Sequence, residues 1–270
     1  MFEHGAARGE IVHLHETYQH ILARQAYPLV LQAILGELTA AAVIMSATLK
    51  FEGVMVIQAR GNGPVSLLAV ECTHDKNIRA VARWEGELSP ASSLKELLGD
   101  GYLVITIDPT RGERYQGIVA LEKETLAACL EDYFQNSEQL PTKIWLASGN
   151  GKAAGMLLQI LPSSSGEKDE DAWHRTLQLA NTVTTEELLS LDAEILLYRL
   201  FHEEQVRGFG RQSVQFQCSC SRERTATMLK NIGKEEVESI LADHGAVEIN
   251  CEFCGASYRF DSIDVSMLFR

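Results

Sequence analysis

Two short stretches constrain this chain more than any other: "CSCSRERTATMLK", beginning at Cys218, and "NCEFCGASYRF", beginning at Asn250. They place four of the six cysteines, Cys218, Cys220, Cys251 and Cys254, in two tight pairs within the last fifth of the sequence. From "SVQFQ" onward the pattern reads strand, Cys-x-Cys, helix from Ser221, stop at Gly233, second helix, hairpin and final helix. A module of roughly fifty residues cannot rely on its own core, and metals or disulfides then supply what burial cannot. The start, "MFEHGAARGE", lacks the basic-then-apolar pattern of a secretory signal, so a cytoplasmic location is expected. In that reducing compartment paired cysteines hold metal more often than disulfides.

Cys251-Glu-Phe-Cys254-Gly255 has the form of a zinc knuckle: a tight turn aims two sulfurs at one point, and the glycine lets backbone amides approach them. Cys218 and Cys220 complete a tetrahedral set, so the expectation is one structural Zn2+ per chain in the reduced state. Four thiolates leave no open position for water, which argues against a catalytic ion. Binding contributes on the order of 10–16 kcal/mol in small zinc peptides, more than the ~5–15 kcal/mol net stability of a typical domain. Loss of the metal should therefore unfold the module. Zinc also keeps the sulfurs as thiolates, the form that peroxide attacks, and each close pair can become a disulfide without meeting the other. The set can serve as a structural clamp or as a redox switch. Cys72, in a strand, and Cys129, in a helix, sit among apolar neighbours and read as inert core thiols.

The rest of the chain predicts an α+β protein. Residues 16–48 are helical with a break at Pro28, and "LVLQAILGELTAAAVIM" forms a well-buried second helix. "FEGVMVIQA" and "VSLLAVECT" flank a turn at Asn62-Gly63, and "IRAVARWEG" extends the meander. "YLVITIDP" with "YQGIVALE", and "KIWLAS" with "AGMLLQILP" around Asn150-Gly151, are further hairpins separated by the helix "ETLAACLEDYFQNS". Hairpins rather than crossovers imply largely antiparallel sheets. "PSSSGEKDED" marks a boundary. The expected division is a mixed helix and antiparallel-sheet domain over 1–164, a helical linker over 165–213 and a zinc-binding module over 214–270.

Within the linker, "TTEELLSLDAEILLYRLFHEE" reads as one helix opened by a capping box of Thr184 and Glu187. Leu188, Leu191, Ile195 and Tyr198 form one stripe, while Leu189, Leu196, Leu200 and Phe201 cover much of the remainder. So wide an apolar surface needs more than one partner face. It is either an ordinary bridging helix or a segment shielded in one state and shown in another. On the second reading the switch residues are Leu188, Leu191, Ile195, Leu196, Leu200 and Phe201.

Net charge is −13, and residues 167–205 hold ten acidic against three basic residues, −7 from that stretch alone. This argues against nucleic acid, which needs a basic face, and no run is apolar enough over eighteen residues to predict a membrane span. No catalytic set assembles. His15 and His20 lie about 140° apart on a helix rather than on one face, and "GNGKAAG" joins two strands without phosphate-loop spacing.

"CSCSRER" and "CEFCG" at this spacing resemble the redox-regulated thirty-three-kilodalton chaperonin family of bacteria. The likeness runs through "ILGELTAA", "ATLKFEG", "AVARWEG", "GERYQGIV", "LEDYFQNSEQLPT", "GMLLQILP" and "LYRLFHEE", nearly the whole chain. It departs at the start, several residues short, and at "GFGRQSV", which replaces a Pro-containing approach to Cys218. The resemblance implies a non-enzymatic, ATP-independent holdase. It is silent with zinc bound and activated when oxidation releases zinc and unfolds the linker. It also implies disulfides Cys218–Cys220 and Cys251–Cys254 in the oxidised state. The partners implied are unfolding client proteins, with room for a homodimer once oxidised. The competing reading is an enzyme or adaptor whose four-cysteine zinc module is merely structural.

Overall fold

The computed structural model describes residues 1–2, 7–161 and 171–269. They fall into two compact units, Met1–Phe216 and Gln217–Arg270. In the first, β1 (Ala7–His13) leads to α1 (His15–Leu22) and α2 (Leu29–Thr48). The meander β2 (Gly53–Arg60), β3 (Val65–Thr73) and β4 (Asn77–Trp84) follows. Next come α3 (Leu94–Leu98), the hairpin β5 (Tyr102–Pro109) and β6 (Tyr115–Ala120), and α4 (Leu126–Asn136). A last hairpin, β7 (Thr142–Gly149) and β8 (Lys152–Ile160), precedes α5 (Ala172–Ala180), α6 (Thr185–Ser190), α7 (Ala193–Phe201) and β9 (Gln215–Phe216).

The strands form a six-stranded sheet, β6-β5-β2-β3-β4-β9, and a three-stranded sheet, β1-β8-β7. Every pairing is antiparallel except β4 with β9. α2 packs against strands of both sheets, and fourteen of its twenty residues are buried. This explains a helix apolar all round: it is long and apolar enough to cross a membrane, yet here it has protein on both sides. Gly36 permits the closest approach, because a Cβ there would collide with the Ser148 side chain.

β8 is buried along both faces. Ala153 and Leu157 enter the main core, while Ala154, Met156 and Leu158 turn outward into a second cluster with Leu188, Leu196, Leu200 and Phe201. The segment from α5 to α7 therefore covers the outer face of the three-stranded sheet. The boundary read at "PSSSGEKDED" falls mostly on 162–170, outside the described residues.

Three local readings change. The expected single helix over 184–204 is broken into α6 and α7: Ser190 Oγ donates to the Glu186 carbonyl at 2.6 Å, Leu191 is extended, and Asp192 caps α7 by accepting from the Glu194 amide at 2.9 Å. The two stripes consequently do not continue. Leu188 stays buried, but Ile195 and Tyr198 are 58% and 74% exposed. The Asn62-Gly63 pair is not a tight left-handed turn. Asn62 Oδ1 accepts from the Asp100 amide at 2.8 Å and the Gly63 amide donates to the Leu98 carbonyl at 3.2 Å, which ties this loop to the end of α3. Asn150 and Gly151, with φ of 52° and 71°, do take the conformation of a two-residue hairpin turn. Finally, "SVQFQ" supplies β9 to the six-stranded sheet instead of opening the second unit.

Two substitutions test this packing. Gly36→Val should cost about 1–3 kcal/mol by overpacking against Ser148 and Tyr18. Leu29→Ser, at a side chain 75% exposed, should stay within ~0.5 kcal/mol. Urea denaturation of both variants beside the parent protein is the check.

Candidate metal centre

The second unit contains α8 (Arg222–Ile232), α9 (Lys234–His244), β10 (Val247–Asn250), β11 (Ser257–Phe260) and α10 (Ser262–Leu268). Ser221 starts α8 by accepting from the Arg224 amide at 3.2 Å, which fixes the direction in which the chain leaves Cys220. β10 and β11 pair through Asn250↔Ser257, so the six residues between them form the turn that carries Cys251 and Cys254. The Cys251 amide donates to the Ala256 carbonyl at 2.8 Å and the Gly255 amide to the Cys251 carbonyl at 2.7 Å. Gly255 has φ of 73°, a left-handed conformation that a side chain would strain.

The four sulfurs all lie within 4.8 Å of one another. Cys218 Sγ is 3.6 Å from Cys251 Sγ, and Cys220 Sγ is 3.3 Å from Cys254 Sγ, so none forms a disulfide. A tetrahedron with metal–sulfur bonds of ~2.3 Å has edges of about 3.8 Å, and sulfurs that all lie within 4.8 Å of one another can be gathered onto it. Among the described residues this is the one group of three or more His, Cys, Asp or Glu side chains placed to share an ion.

Backbone amides of Phe253 and Cys254 point at the Cys251 sulfur, and that of Ala256 points at the Cys254 sulfur. Without a cation, burial outweighs these donors. Burial, with Cys220, Cys218 and Cys251 crowding behind it, pushes the Cys254 thiol up to about 12, and burial also raises Cys251. A bound divalent cation would reverse that balance, because a coordinating thiol is deprotonated outright. The Tyr258 hydroxyl donates to Cys220 Sγ at 3.1 Å, a contact that pushes the phenol up to about 12. Such a donor orients and neutralises a thiolate ligand. Sequence reading missed Tyr258; its only signal is a place in the alternating strand that leaves the knuckle.

The core beneath the site is small. Leu229, Val237, Val247, Phe260 and Val265 are its buried members, and Arg222 covers it by stacking 4.3 Å over the Phe260 ring while bonding Asp264 at 2.7 Å. The other candidate residues lie in the first unit. Leu196, Leu188, Leu200 and Phe201 are buried on the three-stranded sheet, Leu191 is partly buried there, and Ile195 faces outward. Cys72 and Cys129 are buried, and burial raises both thiols.

A family model described as "Hsp33 protein" matches residues 1–261. A 33 kDa chaperonin of Shewanella sp. (strain W3-18-1) is 52% identical over 269 residues, covering 100% of this chain and 93% of the relative. One from Shewanella oneidensis is 50% identical over 270 residues with the same coverage. Among solved structures, a 33 kDa chaperonin from Thermotoga maritima superposes with a TM-score of 0.85 at 22% identity, covering 99% of this chain and 94% of that one, which supports the fold.

The burial differences set an order of thiol reactivity. With a chelator present and no denaturant, a disulfide reagent such as dithionitrobenzoate should modify the four clustered cysteines well before Cys72 and Cys129. Removing the two buried thiols by Cys72→Ser and Cys129→Ser should leave the fast phase unchanged.

Proposed function

The chain belongs to the Hsp33 family, and on that premise we propose that it is a redox-regulated holdase whose four clustered cysteines govern whether its linker is docked. The observation that carries this reading is the convergence of four sulfurs in a unit whose core cluster, among the described residues, has five buried members. Such a unit depends on its crosslink. The proposed ligands are Cys218, Cys220, Cys251 and Cys254, holding one Zn2+ per chain in the reduced state. When bound, the ion supplies a tetrahedral crosslink and keeps the sulfurs as thiolates. The proposed functional division is the body over 1–164, the linker over 165–213 and the redox module over 214–270, whose first strand, β9, pairs into the sheet of the first unit.

Oxidation by a peroxide removes two electrons from each pair of thiols, reduces the peroxide to water and forms one S–S bond. In the reduced arrangement Cys218 lies 3.6 Å from Cys251 and Cys220 3.3 Å from Cys254, contacts that run across the pairs. The family pairing is instead between neighbours, Cys218 with Cys220 and Cys251 with Cys254. Once the unit loosens, loop-closure entropy favours those short loops over closures spanning more than thirty residues. Either way all four donors are consumed, and nothing then retains the ion.

The linker is the segment this change releases. Leu188, Leu196, Leu200 and Phe201 contribute the burial that holds it on β8. Of its ion pairs, those of Arg211 with Asp192 and Glu194 are largely exposed and add little, while Arg175 with Glu204 and Arg199 with Glu187 are partly covered. Undocking uncovers apolar surface on both the linker and the three-stranded sheet, a surface suited to unfolding polypeptides. The excess negative charge keeps a released segment apart from the body. The clients are unfolding proteins rather than nucleic acid or membrane, with a homodimer of the oxidised form and a cytoplasmic setting completing the reading. That the relatives are named chaperonins supports a binding role over the alternative, an enzyme or adaptor with a structural zinc module.

Three outcomes are expected. Metal analysis of the reduced protein should give one zinc per chain, lost in the double variant Cys251→Ser, Cys254→Ser; an unchanged stoichiometry would overturn the ligand assignment. Aggregation of heat-treated citrate synthase, followed by light scattering, should be suppressed after peroxide treatment and not by the reduced, zinc-loaded protein. Leu196→Asp or Leu200→Asp should undock α7, losing roughly 1.5–3 kcal/mol of burial per side chain. Such variants should suppress aggregation, at least in part, while still reduced and zinc-loaded.

A further inference from the structure

β1 uses one of its two backbone edges and leaves most of the other bare. Leu14, just past its end, donates its amide to the Ala153 carbonyl at 2.8 Å, so the even-numbered residues bond β8 and the odd-numbered ones face away. On that outer edge the Ala7 carbonyl accepts from the Phe2 amide at 2.9 Å. Gly9 and Ile11 come next, and among the described residues their outward amides and carbonyls have no hydrogen-bond partner. Phe2 shows what the edge accepts, because it bridges Ala7 on one side and Val206 on the other, both antiparallel. Met1 completes the rung: its carbonyl accepts from the Arg207 amide at 2.8 Å, and its amino group donates to the Arg207 carbonyl at 3.0 Å. Met1 and Phe2 thus lie as a strand between β1 and the chain after α7, holding those two about 9–10 Å apart, twice the spacing of paired strands.

Beside this rung lies a partly open cavity of about 570 Å3. Gly9 and Ile11 line one side, Gly208 and Phe209 another, with Ile44 of α2 and Leu197 of α7 on the remaining faces. We propose that this slot is a strand-addition site for an extended segment of an unfolding polypeptide, seated antiparallel to β1 in line with Met1 and Phe2. Main-chain bonds to Gly9 and Ile11 supply affinity without demanding a sequence, as a chaperone's client site requires. Alternate side chains of the segment meet α2 and α7, so it is apolar on both faces, as β8 is.

Glu10 adds one preference. It lines the slot half-buried, and among the described residues it accepts no hydrogen bond. The nearby cations are engaged elsewhere: Arg8 donates to Gln159 and to the Thr48 carbonyl, and Lys76 to Ser46 and to the His74 carbonyl. A lysine or arginine opposite Glu10 on the incoming strand makes a cross-strand pair of opposite charge. The source of the strand rests on the holdase reading above, whereas the slot does not. A slot this short holds one extended stretch without shielding a whole unfolding chain, which is compatible with a reduced form that does not suppress aggregation. Its test uses neither oxidant nor aggregation, so either idea can fail alone.

The experiment is amide hydrogen exchange, read by NMR, on the reduced, zinc-loaded full chain. The probe is a capped peptide of about five residues, a central lysine flanked by valines. At a concentration ten times its Kd, the Gly9 and Ile11 amides should exchange about tenfold more slowly. The Glu10 and Val12 amides, already bonded to β8, should keep their rates. The same peptide methylated at alternate backbone nitrogens should not bind. Replacing the central lysine by glutamate should weaken binding about fivefold, and Glu10→Gln should erase that preference while keeping the alternating pattern. Failure of the peptide to bind would overturn the proposal, as would equal binding of the methylated form or a lysine preference that survives Glu10→Gln. Binding that leaves Gly9 and Ile11 unchanged would also overturn it and place the peptide elsewhere, for instance on the exposed Ile195 and Tyr198 of α7.

Discussion

The central strand of the small sheet, β8, is apolar on both faces, and a strand of that kind must be covered twice. α2 covers one side and is itself pressed against the six-stranded sheet beyond. That side is permanent: the sheets, α2 and the hairpins share one core, closed at points such as Gly36, where backbone must pass within reach of Ser148. The other side is covered by α5 to α7, whose grip rests on a handful of leucines and Phe201 with ion pairs at the rim. Burial of this kind holds a segment without fixing it, because each short helix contributes only one apolar face.

The second unit shows the same economy in sharper form. A core cluster of five buried apolar side chains is little to hold fifty-four residues against chain entropy, so on the proposed reading the four sulfurs are the unit's structural centre. Their chemistry makes that centre reversible. Crowded and partly buried, the Cys251 and Cys254 thiols resist ionisation by themselves, Cys254 most strongly. As metal ligands they would be thiolates, and thiolates are what oxidants attack. On the proposed reading, a crosslink built from the most oxidisable groups in the chain would be a stability switch as well as a scaffold.

Much of this was legible in the residues. The knuckle, the helix from Ser221 and the stop at Gly233 each follow from a local rule, and each stands where the rule puts it. The hairpin at Asn150-Gly151 follows from turn chemistry alone. What the sequence hid was tertiary. β1 reads as nondescript because its pairing with β8 is non-local, and β9 is two residues long. Asn62-Gly63 satisfied the hairpin rule but was claimed by α3. The apolar stripe across Leu188, Leu191, Ile195 and Tyr198 ignored Asp192, which can cap a new helix as readily as sit inside an old one. Tyr258 gave no motif signal, since only the fold brings its hydroxyl to Cys220.

The central claim is that the cover on the outer face of β8 depends on the reduced state of four sulfurs elsewhere in the chain. Methionine methyl NMR with a water-borne paramagnetic agent tests it directly, because the fold supplies both probe and control. Met156 is buried beneath the linker, whereas Met55 is buried in the permanent core. Broadening of the Met156 methyl after peroxide treatment, with Met55 unaffected, is the expected result. A Met156 signal as shielded in the oxidised protein as in the reduced, zinc-loaded one would contradict the account.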